Sequence, residues 1–174
     1  MTKAWREQFL NELLKQAKMI TEAAELSDHA ASGEGPMLVA QFSTVVDGTG
    51  ICTFETEILE AFEGEPEMET MVTLPLEIED DDTFTEVTDA ILNMNLYVPF
   101  GHFGYYYPSG QVYFRHLEFF DVNKPVEELA TGVIEKYKKI AVIVGNVFGA
   151  LERLATGESS FEEEVENGTL PAQE

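Results

Sequence analysis

Apolar residues recur at two different spacings along this chain, and the change of spacing predicts where a helix gives way to strands. Residues 3–26 carry apolar side chains every three or four positions, from Trp5 and Phe9 onward, which is typical of an amphipathic helix. Residues 37–46, 51–59 and 68–78 are instead rich in β-branched and alternating apolar residues. The first half of the chain is therefore predicted to form one helix followed by a three-stranded antiparallel meander.

The second half repeats this change of period. An acidic run ending at Thr83, with Glu86 three residues later, predicts the capped start of a second helix. Residues 100–107 and 111–119 read as a hairpin turned at Pro108-Ser109-Gly110. A long final helix is expected from about Pro125, capped by Asn123, to about residue 155. The order helix, three strands, helix, hairpin and helix predicts the α+β class.

The length of 174 residues favours a single α+β domain, assigned to residues 1–156. Within it, residues 27–36 and the residues around Phe62 are expected to be loops, and Asp47-Gly48-Thr49-Gly50 a hairpin turn. Residues 157–174 hold six acids and no base after the final helix, with few residues that would pack. Such a composition is typical of a disordered acidic tail.

The charge of the chain narrows the classes of partner. Acidic residues outnumber Lys and Arg by 33 to 10, and no Lys or Arg occurs between Lys18 and Arg115. This surface would repel nucleic acid and anionic membranes, and it would attract basic partners or cations. Solubility alone is a competing explanation for the same charge, and a salt-rich cytoplasm is a third. Neither a secretory signal nor an apolar run long enough to span a membrane is apparent, so a cytoplasmic location is expected.

Candidate metal ligands and nucleophiles are few. A three-residue hairpin loop would place His102 opposite His116, where two imidazoles would ligate zinc, but no third ligand is apparent. The acids Asp80-Asp81-Asp82 fit helix capping better than a cation site, and neither His29 nor the single cysteine, Cys52, has a catalytic motif around it. No cofactor, metal or catalytic residue is therefore predicted.

The second hairpin is the stronger indication of function. Aromatic residues occupy both of its faces, and helices would cover only one of them. Tyr105, Tyr107, Tyr113 and Arg115 have the composition of a partner-binding surface. The alternative is that aromatic residues simply favour strands. In the final helix, Gly145 and Gly149 share one side, which indicates close packing either within the chain or across a dimer.

The same region resembles a known family. Leu92-Asn93-Met94-Asn95 ends the second helix, and an extended segment Val98-Pro99-Phe100-Gly101-His102-Phe103 enters the hairpin. The turn Ser109-Gly110 then precedes Gln111-Val112-Tyr113-Phe114-Arg115, and a long helix follows. Over residues 80–155 this pattern resembles the YbjN domain family, and the order of elements resembles the type III secretion chaperone-like fold.

That resemblance implies a small, acidic, homodimeric protein without a cofactor, which holds segments of other polypeptides. The hypothesis from the sequence is thus a non-enzymatic, cytoplasmic chaperone-like or adaptor protein. Its client, which the charge suggests is basic, would bind at a sheet edge or at the aromatic face. The alternative is a metal-binding protein or enzyme that uses His102, His116 and nearby acids.

Overall fold

The computed structural model describes residues 2–21, 23–28, 35–43, 51–60, 66–78, 80–107 and 109–172. The elements in chain order are α1 (Lys3–Ala17), β1 (Ala23–Ser27), β2 (Met37–Ser43), β3 (Ile51–Glu60), β4 (Pro66–Glu77), α2 (Asp81–Met94), β5 (His102–Tyr106), β6 (Gln111–Phe119), α3 (Val126–Ala155) and α4 (Phe161–Glu166). The predicted turn at residues 47–50, His29 and most of the predicted loops at residues 27–36 and 62–66 lie outside the described residues.

The strands form one antiparallel sheet in the order β1-β2-β3-β4-β6-β5. The α+β prediction is therefore confirmed, with one strand more than expected. The first helix ends at Ala17 rather than at residue 26, and β1 follows it. Ala24, which continues the helical spacing of Ala17 and Ile20, pairs instead with Ala40 of β2, and Leu26 pairs with Leu38. Ala24 and Leu26 are separated by a polar residue, and this alternation is the pattern of a strand.

Alternation along the strands gives the sheet two different faces. The inner face carries buried residues such as Phe54, Ile58, Val72 and Phe114, which pack in one core with apolar residues of α1, α2 and α3. The outer face consists of the alternate residues of β3, β4, β6 and β5. Its members are Thr53, Glu55, Glu57, Leu59, Glu67, Glu69, Met71, Thr73, His102, Gly104, Tyr106, Gln111, Tyr113, Arg115, Leu117 and Phe119.

The long helix α3 is tied to the sheet by a buried polar contact as well as by apolar packing. The Tyr137 hydroxyl hydrogen-bonds the hydroxyl of Thr56, which lies 3.2 Å from the hydroxyl of Thr70. All three residues are buried, and the phenol ring also packs against Phe54. A hydroxyl buried without a partner costs about 1–3 kcal/mol, so this cluster favours one placement of α3 over others.

The helix caps differ from the predictions. Asp80, rather than Thr83, caps α2, because its carboxylate accepts a hydrogen bond of 2.8 Å from the Thr83 backbone N–H. Asn123 does not cap α3. It bonds instead to the carboxylate of Asp121, and α3 starts after Pro125 without a side-chain cap.

A proline within a strand, here Pro75, favours a sheet edge or a bulge. The strand that contains it, β4, lies between β3 and β6, so the edge position is wrong. Its pairing with β6 is irregular between Thr73 and Glu77, which agrees with a bulge. Proline lacks the N–H that a regular ladder requires, and an irregularity of this kind accommodates it.

The C-terminal segment differs from the predicted disordered tail, because residues 160–172 form α4 and the turns after it. The carboxylate of Glu164 is only 2% exposed and receives two hydrogen bonds of 2.7 Å from the guanidinium of Arg153. Leu170 is buried, and Glu86 of α2 accepts a hydrogen bond from the Phe161 N–H. Composition alone misses this segment because a few buried anchors hold it among many exposed acids.

Replacing Glu164 with Gln is expected to destabilise the protein by about 2 kcal/mol, because the guanidinium of Arg153 loses its paired charge. Arg153 holds the pKa of Glu164 at about 2, below the unfolded value near 4.3. The carboxylate therefore contributes stability at neutral pH, and this contribution is lost as pH falls from above 4 towards 2. Urea unfolding at several pH values measures both effects. Glu162→Gln, an exposed residue of the same helix, is the control, and equal behaviour of the two variants would contradict the prediction.

Candidate functional site: the outer face of the sheet

A shallow groove of about 380 Å³ lies on the outer face, over β4, β6 and the end of β5. It combines apolar, aromatic, amide and charged groups, and its lining residues are Glu69, Met71, Thr73, Tyr106, Gln111, Tyr113 and Arg115. Tyr106 is 59% exposed, and Phe119 and Leu117 are exposed further along β6. The arrangement suits contact with another macromolecule, since aromatic residues and arginine are enriched at interfaces.

Tyr113 forms one wall of this groove, and Gly104 makes room for it. The two residues are paired across β6 and β5, and the phenol ring of Tyr113 lies over the backbone of Gly104. A Cβ built on Gly104 would overlap that ring. His102, one row along, meets the ring edge-on at 6.5 Å between centroids. The glycine thus sets the orientation of the tyrosine.

Arg115 contacts the acidic part of the outer face. Its Nη2 lies 2.6 Å from Oε2 of Glu69, and this hydrogen bond raises the pKa of the guanidinium. Glu57 is paired with Glu69 across β3 and β4. Burial and the neighbouring Glu57 raise the pKa of Glu55, which favours its protonated form more than in free solution. Carboxylates therefore lie close together here with one guanidinium among them.

The four predicted partner-binding residues are divided between two places. Tyr113 and Arg115 lie on the outer face, whereas Tyr105 points to the inner side and packs edge-on against Phe84 of α2. Tyr107, 80% exposed, follows the strand and also contacts Phe84. Five lining residues of the groove were not predicted from the sequence, and they are Glu69, Met71, Thr73, Tyr106 and Gln111. Strict alternation along β4 was the signal that would have found the first three.

The edge of the sheet at β5 is closed by a side chain. The Asn95 amide nitrogen donates to the Phe103 carbonyl at 2.8 Å, and the Phe103 N–H donates to the Asn95 amide oxygen at 2.7 Å. One side chain thereby takes the place of a neighbouring strand at this position. A free edge otherwise offers unpaired backbone groups to other chains. The outer face is thus the more accessible of the two predicted binding surfaces on this side.

The predicted pairing of His102 with His116 is wrong. His102 lies opposite Arg115, and Tyr106 rather than Tyr107 lies opposite Gln111, a shift of one residue. The Ser109 and Gly110 N–H groups both donate to the Tyr106 carbonyl, so the loop holds four residues instead of three. Because strand side chains alternate, this shift puts the two imidazoles on opposite faces. Among the described residues, no group of three or more His, Cys, Asp or Glu side chains is arranged to hold a metal.

His116 lies at the border of the core. Its Nε2 is 3.2 Å from Oε2 of Glu118, the same carboxylate contacts Lys136 of α3, and Phe100 meets the imidazole ring edge-on at 5.1 Å. Burial and the nearby Lys136 lower the pKa of His116. The imidazole is therefore uncharged at neutral pH. Because it lies on the inner face, its role is to pack at the border of the core.

The remaining candidates have structural surroundings. Cys52 is buried on the inner face, and burial raises the pKa of its thiol to about 11, which opposes a nucleophilic role. Asp80 caps a helix, as described above. Gly145 of α3 is buried, whereas a Cβ on Gly149 would meet Arg153 at an ordinary 3.5 Å. Close packing of a backbone against Gly149 is thus not seen within the described residues.

None of the helices in the described ranges combines the length and the apolar character that crossing a bilayer requires.

His116→Gln is expected to reduce the pH dependence of stability near neutrality. The folded pKa of His116 lies below its unfolded value of about 6.5, so the unfolded state binds more protons and the native state loses stability as pH falls below that value. Thermal unfolding at about pH 7.5 and about pH 5.5 measures the change. His102→Gln, on the exposed outer face, is the matched control. An unaltered pH dependence in His116→Gln would refute this account of the inner face.

Asn95→Ala is expected to cost about 2 kcal/mol, because two hydrogen bonds are lost and the Phe103 backbone groups are left without this partner. It also opens the β5 edge, so association at high protein concentration should increase. Chemical unfolding and sedimentation measure these effects. Asn123→Ala, which removes a bond in an exposed turn, serves as the control. A loss of stability no greater than that of the control would contradict the closing role of Asn95.

Comparisons of the chain with models of protein families, with curated proteins and with solved structures find no match. Inference about function therefore depends on the chain's own residues, above all on the outer face and on the closed edge beside it.

Proposed function

We propose that this chain is a non-enzymatic adaptor or chaperone-like protein of the cytoplasm that binds a polypeptide client through the outer face of its sheet. The observation that carries the proposal is the groove between Tyr106, Tyr113 and Met71, where aromatic and thioether groups are accessible beside charged ones. Such a surface contacts chains of varied sequence, because methionine and tyrosine adapt to different apolar groups.

The resemblance to the YbjN domain family and to the type III secretion chaperone-like fold belongs to the same proposal. The order of helices and strands after β1 supports it, since a meander, a helix, a hairpin and a long helix follow in turn. Gly110, with φ of 70°, supports the proposal because it allows the tight turn of the hairpin that the resemblance includes. The additional strand β1 is a departure from the expected order.

Binding at the face is favoured over binding at the β5 edge. An added strand would need the outward N–H and carbonyl groups of β5, and those of Phe103 are occupied by Asn95. The face needs no such rearrangement. Side chains of a client would instead contact Tyr106 and Tyr113, which belong to neighbouring cross-strand pairs of β5 and β6 on the outer face.

A homodimer is also part of the proposal, with the helical layer as its interface. Val142 of α3, Leu92 of α2 and Leu96, which follows α2, are exposed apolar residues that would gain from burial. The outer face is less suited to self-association, because two copies would bring their carboxylates together. Dimerisation through the helices leaves the outer face accessible to a client.

The test uses three short synthetic peptides that alternate valine and tyrosine with lysine, glutamine or glutamate. At least one should bind the full chain, and Tyr106→Ala with Tyr113→Ala should lower its affinity about tenfold or more, as expected for aromatic residues at the centre of an interface. Fluorescence anisotropy measures the affinity, and light scattering on the same samples should report a dimer. Tyr107→Ala is the control, since that exposed tyrosine lies outside the groove. Failure of all three peptides, or equal losses in both variants, would refute binding at this face.

A further inference from the structure

A second cavity lies between the start of α2 and the turn of the second hairpin. Its volume of about 480 Å³ is within the range of roughly 300–1,000 Å³ that small-ligand sites have. Among the described residues, it shares no lining residue with the groove of the outer face. It includes Tyr105 and Tyr107, which are the two predicted partner-binding tyrosines that lie outside the groove.

Three aromatic rings line this cavity and stand at steep angles to one another. Between ring centroids, Phe84 lies 5.0 Å from Tyr105 and 6.3 Å from Tyr107, and the two tyrosines are 6.4 Å apart. The interplanar angles are 60°, 83° and 78°. At these separations, three rings that face a common point at right angles lie about 3.5 to 4.5 Å from it, inside the roughly 6 Å reach of a cation–π contact. We call the three rings the aromatic cage.

Packing of α2 against the hairpin explains only part of the aromatic cage. Phe84 and Tyr105 are half-buried, whereas Tyr107 is 80% exposed although it contacts both of the other rings. A ring so exposed contributes little to folding through burial of apolar area. Most of its surface is instead accessible to a ligand in the cavity, and the faces of aromatic rings attract positive charge.

The charges around the cavity also favour a cation. Asp80 and Asp81 line it, and no Lys or Arg is among its described lining residues. Hydrogen bonds from the backbone N–H and the hydroxyl of Thr83 lower the pKa of Asp80, so this carboxylate is charged at neutral pH. The start of α2 contributes a positive end of only about half an elementary charge, which the two carboxylates outweigh.

We propose that this cavity binds a quaternary ammonium group, with the aromatic cage around its methyl groups and Asp80 and Asp81 balancing its charge. An unmethylated ammonium is strongly hydrated and would lose more on leaving water, whereas a methylated one combines apolar surface with positive charge. Both a free choline-type cation and a trimethylated lysine side chain carry this group. The site is separate from the outer face, so this inference does not depend on the client proposed above.

The first part of the test compares four ligands on the full chain. Choline is paired with 3,3-dimethylbutanol, which has the same shape without the charge, and a short glycine-serine peptide with one trimethyllysine is paired with its unmethylated form. Choline, the trimethyllysine peptide or both should bind about tenfold or more tightly than the paired ligand. NMR titration measures each affinity, and the methyl protons of a bound ligand should shift upfield because aromatic faces shield them. The tighter of the two identifies the source of the group.

Variants of the most exposed ring test whether aromatic character is required. Tyr107→Leu keeps an apolar side chain but removes the ring, so it should weaken binding of the preferred ligand about fivefold or more. Tyr107→Phe keeps the ring and should bind nearly as the unmodified chain does. Tyr97→Ala is the control, because that partly exposed tyrosine lies beyond the other end of α2. The exposure of Tyr107 makes loss of folding an unlikely complication, and thermal unfolding of each variant checks it.

Variants of the two carboxylates test the contribution of charge. Asp80→Asn combined with Asp81→Asn should weaken binding of choline a few-fold and leave dimethylbutanol unchanged, since exposed charges act through a screened field. Asparagine caps helices as well as aspartate does, so the start of α2 is retained. Glu127→Gln combined with Glu128→Gln removes two exposed carboxylates from the first turn of α3 and is the matched control.

Several results would overturn the inference. If neither choline nor the trimethyllysine peptide binds better than its paired ligand, the cavity does not recognise a quaternary ammonium group. Equal affinities of Tyr107→Leu and Tyr107→Phe would show that the aromatic cage is not the site, and so would a loss in Tyr97→Ala as large as in Tyr107→Leu. An equal loss in the two double variants would make the attraction diffuse and not local to the cavity. None of the peptides used for the outer face carries a quaternary ammonium group, so failure here leaves that proposal standing.

Discussion

Burial of one face of the sheet beneath α1, α2 and α3 is the interaction on which the rest of this structure depends. Three stacked rings, Trp5, Phe9 and Phe120, attach α1 to the end of β6 at centroid distances of 5.3 to 5.7 Å. Tyr137 fixes α3 over Thr56. Because the inner face is buried and strand residues alternate, the side chains of Glu55, Glu57, Glu67 and Glu69 lie on the outer face. The acidic character of the outer face is thus a consequence of how the core is built.

Periodicity predicted the class and most elements because it reports burial directly. The buried residues of β3 and of the long helix could be read from their spacing, and both elements are present. It could not separate α1 from β1, since Ala24 continues the helical spacing of Ile20 and also alternates with Leu26 as strand residues do. Periodicity also could not predict that the C-terminal segment folds into α4. The carboxylate of Glu164 is stabilised by Arg153, eleven positions away, and hydropathy does not register such a contact.

The site was only partly predictable, and the register of the second hairpin explains why. Because the loop holds four residues instead of three, His102 lies opposite Arg115 and not opposite His116, so the predicted pair of zinc ligands does not form. His102 and Arg115 instead share a cross-strand row with Met71 and Glu55. The turn residues permit a loop of either three or four residues. Burial of particular strand residues in the core selects the loop of four. Phe103 and Tyr105 must face inward to meet Phe114 and Phe84. The identity of the outer row follows from that requirement.

Closure of the β5 edge and accessibility of the outer face have a common physical basis in this hairpin. Asn95 reaches Phe103 because α2 ends beside β5, and the same packing directs Phe103 into the core and Gly104 outward. Gly104 then leaves the space that the Tyr113 ring occupies. A side chain at that position would displace the ring and fill part of the groove. The backbone of β5 is therefore protected from pairing while the side chains above it remain accessible, which is the combination that a face-binding adaptor requires.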